Sequence, residues 1–217
     1  YFDASWGDVA FFYVGLKRET SAEILRRIFE SEKCDFVACV DKFMVGRLLQ
    51  AGWHSVRAVR LEGIKNGMHF APVIKNKFLS LSEKAGRKIP RIFADFFLLM
   101  LAELSFRSGF LADEVRTFIT EILEQDQIKY ENLYMATAGL WALRPFCDKE
   151  EVDGFLTEMS SILSRIPDCN FQQKATILLM LEAIERKMKL PKRQLKKKVA
   201  RLARRHPEAF RGILPRK

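Results

Sequence analysis

Apolar positions recur at steps of three and four residues along almost the whole chain, the spacing that lines one face of an α-helix. Ile24, Leu25, Ile28 and Phe29 share such a face. They follow Thr20-Ser21-Ala22-Glu23, which reads as a capping box opening a helix to about Ser31. Phe36, Val37, Val40, Phe43, Met44 and Leu48 carry the spacing on toward Gly52. A short helix is expected over 55–61, stopped by Gly63 and Gly67, and another around Val73, Ile74, Phe78 and Leu81, ended near Gly86. Pro90 suits the first turn of a helix to about Ser108, with Gly109 as its stop. Asp113 is expected to cap a helix to about Gln125, and another helix is expected over 130–146. Asp148 with Glu151 caps one to Arg165, Asn170 with Gln173 caps one to Lys187, and a last helix runs from Pro191 to Pro207. Only 9–16 stays open between a short strand and a buried helix. No segment alternates convincingly with period two.

These helices come in pairs with short connections, and the pairs recur. Leu101, Leu140 and Leu179 are spaced by 39 residues; Phe118, Phe155 and Leu195 by 37 and 40. Periods of this size belong to two-helix repeats, although helices of similar length in a bundle produce them as well. The expected fold is therefore all-α, with antiparallel helical hairpins stacked as a short α-solenoid or an irregular bundle. Three parts are distinguished: 1–91, carrying a basic segment over 42–91; the hairpins of 92–190; and a basic amphipathic helix and tail over 191–217, docked on the same domain. The segment with Phe93, Phe96, Phe97, Leu98, Leu99, Met100, Leu101 and Leu104 is apolar nearly all round and is expected to be a central helix buried on both sides.

Composition adds a charge problem to this pattern. The 217 residues are 48% hydrophobic, enough for a sizeable core, and carry a net charge of +10. That charge is segregated: net −3 over 1–41, +9 over 42–91, −9 over 92–185 and +13 over 186–217. On the last helix Leu195, Val199 and Leu202 fall on one face, with Ala203 beside them. Arg193, Lys196, Lys197, Arg201, Arg204 and Arg205 fill the opposite arc. No acid lies between Arg186 and His206, so these cations repel one another unless a polyanion is near. A phosphate backbone supplies that partner. The residues expected to hold nucleic acid are Lys192, Arg193, Lys196, Lys197, Arg201, Arg204 and Arg205, joined by Arg57, Arg60, Lys65, Arg87 and Lys88 of the earlier block. Lys65 between Gly63 and Gly67 is a weak candidate for a phosphate-contacting loop. Trp53 is expected in the core and His69 at the surface or at a helix cap.

No catalytic reading emerges. His54, His69 and His206 have no partner at metal-ligand spacing, and no phosphate-binding loop, dinucleotide fingerprint or nucleophile elbow is present. Acid pairs such as Asp113-Glu114 and Glu150-Glu151 sit at expected helix starts, where they offset the helix dipole. The expectation is a non-enzyme without metal or cofactor. Cys34, Cys39, Cys147 and Cys169 show no zinc or disulfide-framework spacing and are expected to be reduced core residues. The apolar run over 92–106 is interrupted by Asp95 and Glu103 and is too short for a membrane span. The chain opens at Tyr1 rather than methionine, which suggests an upstream segment.

The paired helices over 93–125, 132–165 and 171–205 with their basic end resemble the degenerate α-helical repeat proteins of organelles. These include the RAP-type and octotricopeptide- or heptatricopeptide-like RNA-binding families and the helical proteins of divergent mitochondrial ribosomes. The repeat length departs from that of pentatricopeptide repeats, so no base-reading position carries over. The resemblance implies a mitochondrial location and an RNA partner, rRNA above all, with neighbouring proteins in a large complex. On this reading the protein is a non-catalytic structural component of the mitochondrial ribosome or a similar ribonucleoprotein. The alternative is a helical scaffold or accessory subunit of a mitochondrial complex that contains no nucleic acid.

Overall fold

The computed structural model describes residues 4–32, 34–87, 89–166, 170–190, 195–205 and 207. Within them the chain forms twelve α-helices: α1 (Ala4–Lys17), α2 (Ala22–Glu30), α3 (Phe36–Phe43), α4 (Val45–Ala51), α5 (Arg57–Met68), α6 (Ala71–Lys84), α7 (Arg91–Phe106), α8 (Ala112–Leu123), α9 (Tyr130–Leu143), α10 (Lys149–Arg165), α11 (Phe171–Met188) and α12 (Leu195–Arg205). Short 3-10 turns at Gly109–Leu111 and Arg144–Phe146 precede α8 and follow α9. The described residues contain no strand, only an isolated antiparallel bridge between Glu19 and Trp53. The all-α fold is thus as the pattern predicts, and 9–16 is helical.

Side-chain caps account for four of the α-helix starts, whereas Asp113, the expected cap of α8, lies inside its first turn. Asp35, Asp148 and Asn170 accept backbone N–H groups of α3, α10 and α11 respectively, and Asn170 with Gln173 completes a capping box. At α2 the cap is Ser21, not Thr20: Ser21 accepts from Ile24 N, while Glu23 pairs with Arg26 and Arg27 instead of closing the box. Thr20 is buried and donates its backbone N–H to Ser55 Oγ.

Three further expectations change. The helix expected to run from Phe36 to Gly52 breaks at Met44 into α3 and α4, and the buried Ser105 of α7 bridges the break. Its hydroxyl donates to Phe43 O at 2.9 Å and accepts from Gly46 N at 3.1 Å. Gly63 and Gly67 do not stop a helix; both lie on the buried side of α5, which runs on to Met68. A Cβ at Gly67 would come within 2.6 Å of Val45 Cγ1, so the missing side chain lets α4 approach α5 closely. There is consequently no glycine loop at Lys65 to cradle a phosphate.

The third change concerns the centre of the molecule. Every residue from Leu133 to Leu140 of α9 is buried, and α7, α8, α6, α10 and α11 all pack on this helix. Its run of small residues (Ala136, Thr137, Ala138, Gly139) lets neighbours approach closely. α7, by contrast, covers only one face. Leu98, Leu99, Ala102 and Phe106 are buried, while Phe93, Phe96, Met100 and Leu104 stay exposed. α7 and α8 barely touch each other: α7 lies against α9, and α8 lies between α9 and α5. The later pairs, α9 with α10 and α11 with α12, do pack together. One cluster of buried apolar side chains runs from Val14 to Leu190.

One buried charge is paired where several helices meet. Asp95 of α7 is 1% exposed and receives Lys75 Nζ of α6 at 2.6 Å, Tyr134 Oη of α9 at 2.9 Å and Thr176 Oγ1 of α11 at 3.4 Å. Burial pushes the Asp95 carboxyl above its ordinary range, against the pull of Lys75, and pushes the Tyr134 phenol well above its own. Four helices are thereby tied at one point.

Candidate nucleic-acid interface

α12 reaches its position through the end of α11. Lys189 adopts a left-handed conformation at φ 53°, and Leu190 N donates back to Glu185 O at 3.1 Å. This six-to-one closure with a buried Leu190 terminates the helix and turns the chain. α12 then packs along α11, with Ala203 partly buried against the core.

The outer face of α12 is cationic. Lys197, Ala200, Arg201, Arg204 and Arg205 are all exposed, at the i, i+3, i+4, i+7, i+8 positions of one helical face. None of the four cations forms an ion pair among the described residues. Lys197 and Arg205 are eight residues apart, which places them about 12 Å apart along the helix axis. The side chains of Leu195, Lys196, Val199 and Leu202 lie outside the described residues, as do Lys192 and Arg193 entirely, so the expected leucine-valine stripe and those three cations fall there too.

The earlier basic block is placed differently. Packing of α5 on α8 sets its charges against the acidic middle of the chain. Arg60 meets the buried Glu114 at 2.5 Å, Lys65 meets Glu121 at 2.6 Å, and Arg57 donates to Thr117 Oγ1 at 2.9 Å. Arg60 also lies 4.7 Å from the Phe110 ring. Lys75 is held by Asp95, as above. Lys42 is buried and donates to Phe29 O and Ser31 O at the end of α2, over the Phe70 ring. Arg91 donates to Gln172. Of the twelve residues expected to hold nucleic acid, then, Arg60 and Lys65 are engaged by carboxylates and Arg57 by a hydroxyl. Arg87 is exposed in the turn after α6, and Lys88 lies outside the described residues.

No family model, curated protein or solved structure matches the chain. Among the described residues no cluster of three or more His, Cys, Asp or Glu side chains could hold a metal, and no helix is long and apolar enough to cross a membrane.

Other expectations about single residues divide. Cys39 is buried and Cys147 partly so, its thiol pushed up to about 12 by burial and by Glu151. Cys34 is exposed rather than in the core, and Cys169 lies outside the described residues. His69 caps the C-terminus of α5. Trp53 is not a core residue: it is 50% exposed, and its ring stacks on that of His54 with centroids 3.7 Å apart. Sequence pattern missed this because Trp53 follows an apolar helix and reads as its continuation, whereas Gly52 ends that helix and turns the ring outward.

Proposed function

We propose that this protein is a non-catalytic RNA-binding component of a ribonucleoprotein, with α12 laid against the phosphate backbone. The observation that carries the reading is the outer face of α12, where Lys197, Arg201, Arg204 and Arg205 are exposed together without a carboxylate partner among the described residues. Like charges at i and i+4 cost an isolated helix roughly 0.2–0.5 kcal/mol per pair, and that cost becomes a gain when phosphates displace counterions. The setting implied by the resemblance to organellar helical proteins is a mitochondrial one, the ribosome above all, with rRNA as the ligand.

The test is RNA binding as a function of salt, with Lys197, Arg201 and Arg204 each changed to Glu. Affinity is expected to collapse, and the slope of log K against log salt to fall by about 2, as three phosphate contacts on a single strand are lost. Unchanged affinity in that triple variant overturns the assignment of α12.

A second reading has its own observation. Phe93, Phe96, Met100 and Leu104 form an exposed apolar stripe on α7, a surface suited to a protein neighbour. It favours a scaffold or accessory subunit and is compatible with a protein seated in a larger complex. Protein purified without nuclease treatment separates the two, because only the first reading predicts co-purified RNA, detected by absorbance at 260 against 280 nm.

A further inference from the structure

The exposed Trp53 sits at a corner held by backbone and side-chain hydrogen bonds. The Glu19–Trp53 bridge joins the segment after α1 to the segment after α4. His54 N donates to Arg18 O at 2.7 Å, and Thr20 N donates to Ser55 Oγ at 2.5 Å. Arg60, anchored by Glu114, donates to Ser55 O, so the corner is also tied to α5 and α8. Arg18 is held at φ 59°, a left-handed conformation that a non-glycine residue keeps only where its surroundings hold it. The backbone that carries the indole is therefore fixed, and the ring itself is held by its stack on His54.

Its neighbours carry both signs: Glu19 is its bridge partner, and Arg18 lies near the ring. The guanidinium of Arg18 lies over the Trp53 ring, 5.9 Å from its centroid. His54 covers one side of the indole by stacking, and half of the Trp53 surface remains open to solvent. A large π-face held rigid, with positive charge beside it, matches an unpaired nucleobase whose phosphate follows at the edge. A base inside a duplex has no free face to offer, so the corner discriminates for single strands.

We propose that Trp53, backed by His54 and flanked by Arg18, is a stacking platform for an unpaired RNA base. This rests on the RNA-binding reading and adds the form of RNA: single-stranded at this corner, whereas α12 grips phosphates of either form.

The experiment uses the full chain and two probes, a 12-nucleotide single-stranded RNA of mixed sequence and the duplex it forms with its complement. Trp53→Ala is expected to weaken the single strand about tenfold and leave the duplex within twofold, in keeping with the worth of one base–aromatic stack. Trp53→Phe, which keeps a ring, should restore most of the loss; circular dichroism checks that both variants fold. Charge reversal at Lys197, Arg201 and Arg204 should weaken both probes. Equal single-strand affinity in Trp53→Ala overturns the platform while leaving the RNA reading standing, and so does an equal loss on both probes. If the unaltered protein binds neither probe, the RNA reading falls and the platform falls with it.

Discussion

Asp95 shows how one polar residue can be tolerated inside an apolar helix. Ala94 and Leu98 on either side of it are buried, and a lone carboxylate there costs several kcal/mol. The cost is offset because three other helices each send a partner to it: Lys75, Tyr134 and Thr176. Lys75 is itself only 13% exposed and lies 4.9 Å from the Tyr134 ring. Removing the carboxylate strands that ammonium in a nearly dry site. Asp95→Ala is therefore expected to lower the unfolding free energy by about 3–5 kcal/mol, read from urea denaturation. Replacement of the exposed Asp113, whose partner Arg116 keeps a second carboxylate in Glu151, should cost no more than about 1 kcal/mol. The sequence marks Asp95 only as an interruption of an apolar run. Its partners lie 20, 39 and 81 residues away, and nothing local names them.

At the scale of elements, the break between α3 and α4 is set from outside. The apolar spacing from Phe36 to Leu48 is continuous, so the local signal is for one helix. Ser105 of α7 supplies the alternative partner for Phe43 O and Gly46 N that a continuous helix would not need. Gln50 reinforces the contact by donating to Ser105 O at 2.9 Å. The approach is possible only because Gly46 has no side chain: a Cβ there would overlap the Ser105 carbonyl and fall 2.8 Å from Phe106 Cδ1. Gly46→Ala is expected to destabilise the protein by about 1–3 kcal/mol, despite alanine's better helix propensity, as measured by thermal unfolding. A stabilising effect would mean that α4 and α7 are not in contact here. The α7 face turned away from this junction is the one left apolar and exposed.

Across the whole molecule, charge segregated in sequence is partly recombined in space. The net +9 block of 42–91 and the net −9 stretch of 92–185 meet where α5 packs on α8 and α6 on α7. Arg60, Lys65 and Lys75 thereby acquire carboxylate partners, whereas the described cations of α12 acquire none among the described residues. This distribution predicts a contrast that net charge does not. Lys65→Gln should change RNA affinity less than twofold, because its charge is already opposed by Glu121. Arg204→Gln should remove one phosphate contact and lower the single-strand salt slope by about 0.7. Filter binding across a salt series checks both, and equal effects would show that long-range charge alone governs binding. The sequence by itself determined most of the helices, the caps at Asp148 and Asn170 and the cationic face of the last helix. Those depend on periodicity and on groups three or four residues apart. The tertiary structure alone decided that α9 and not α7 is enclosed, that Trp53 faces outward and that Arg60, Lys65 and Lys75 of the basic block meet carboxylates. Each of these depends on which distant helix packs where, and burial and ion pairing act between neighbours in space.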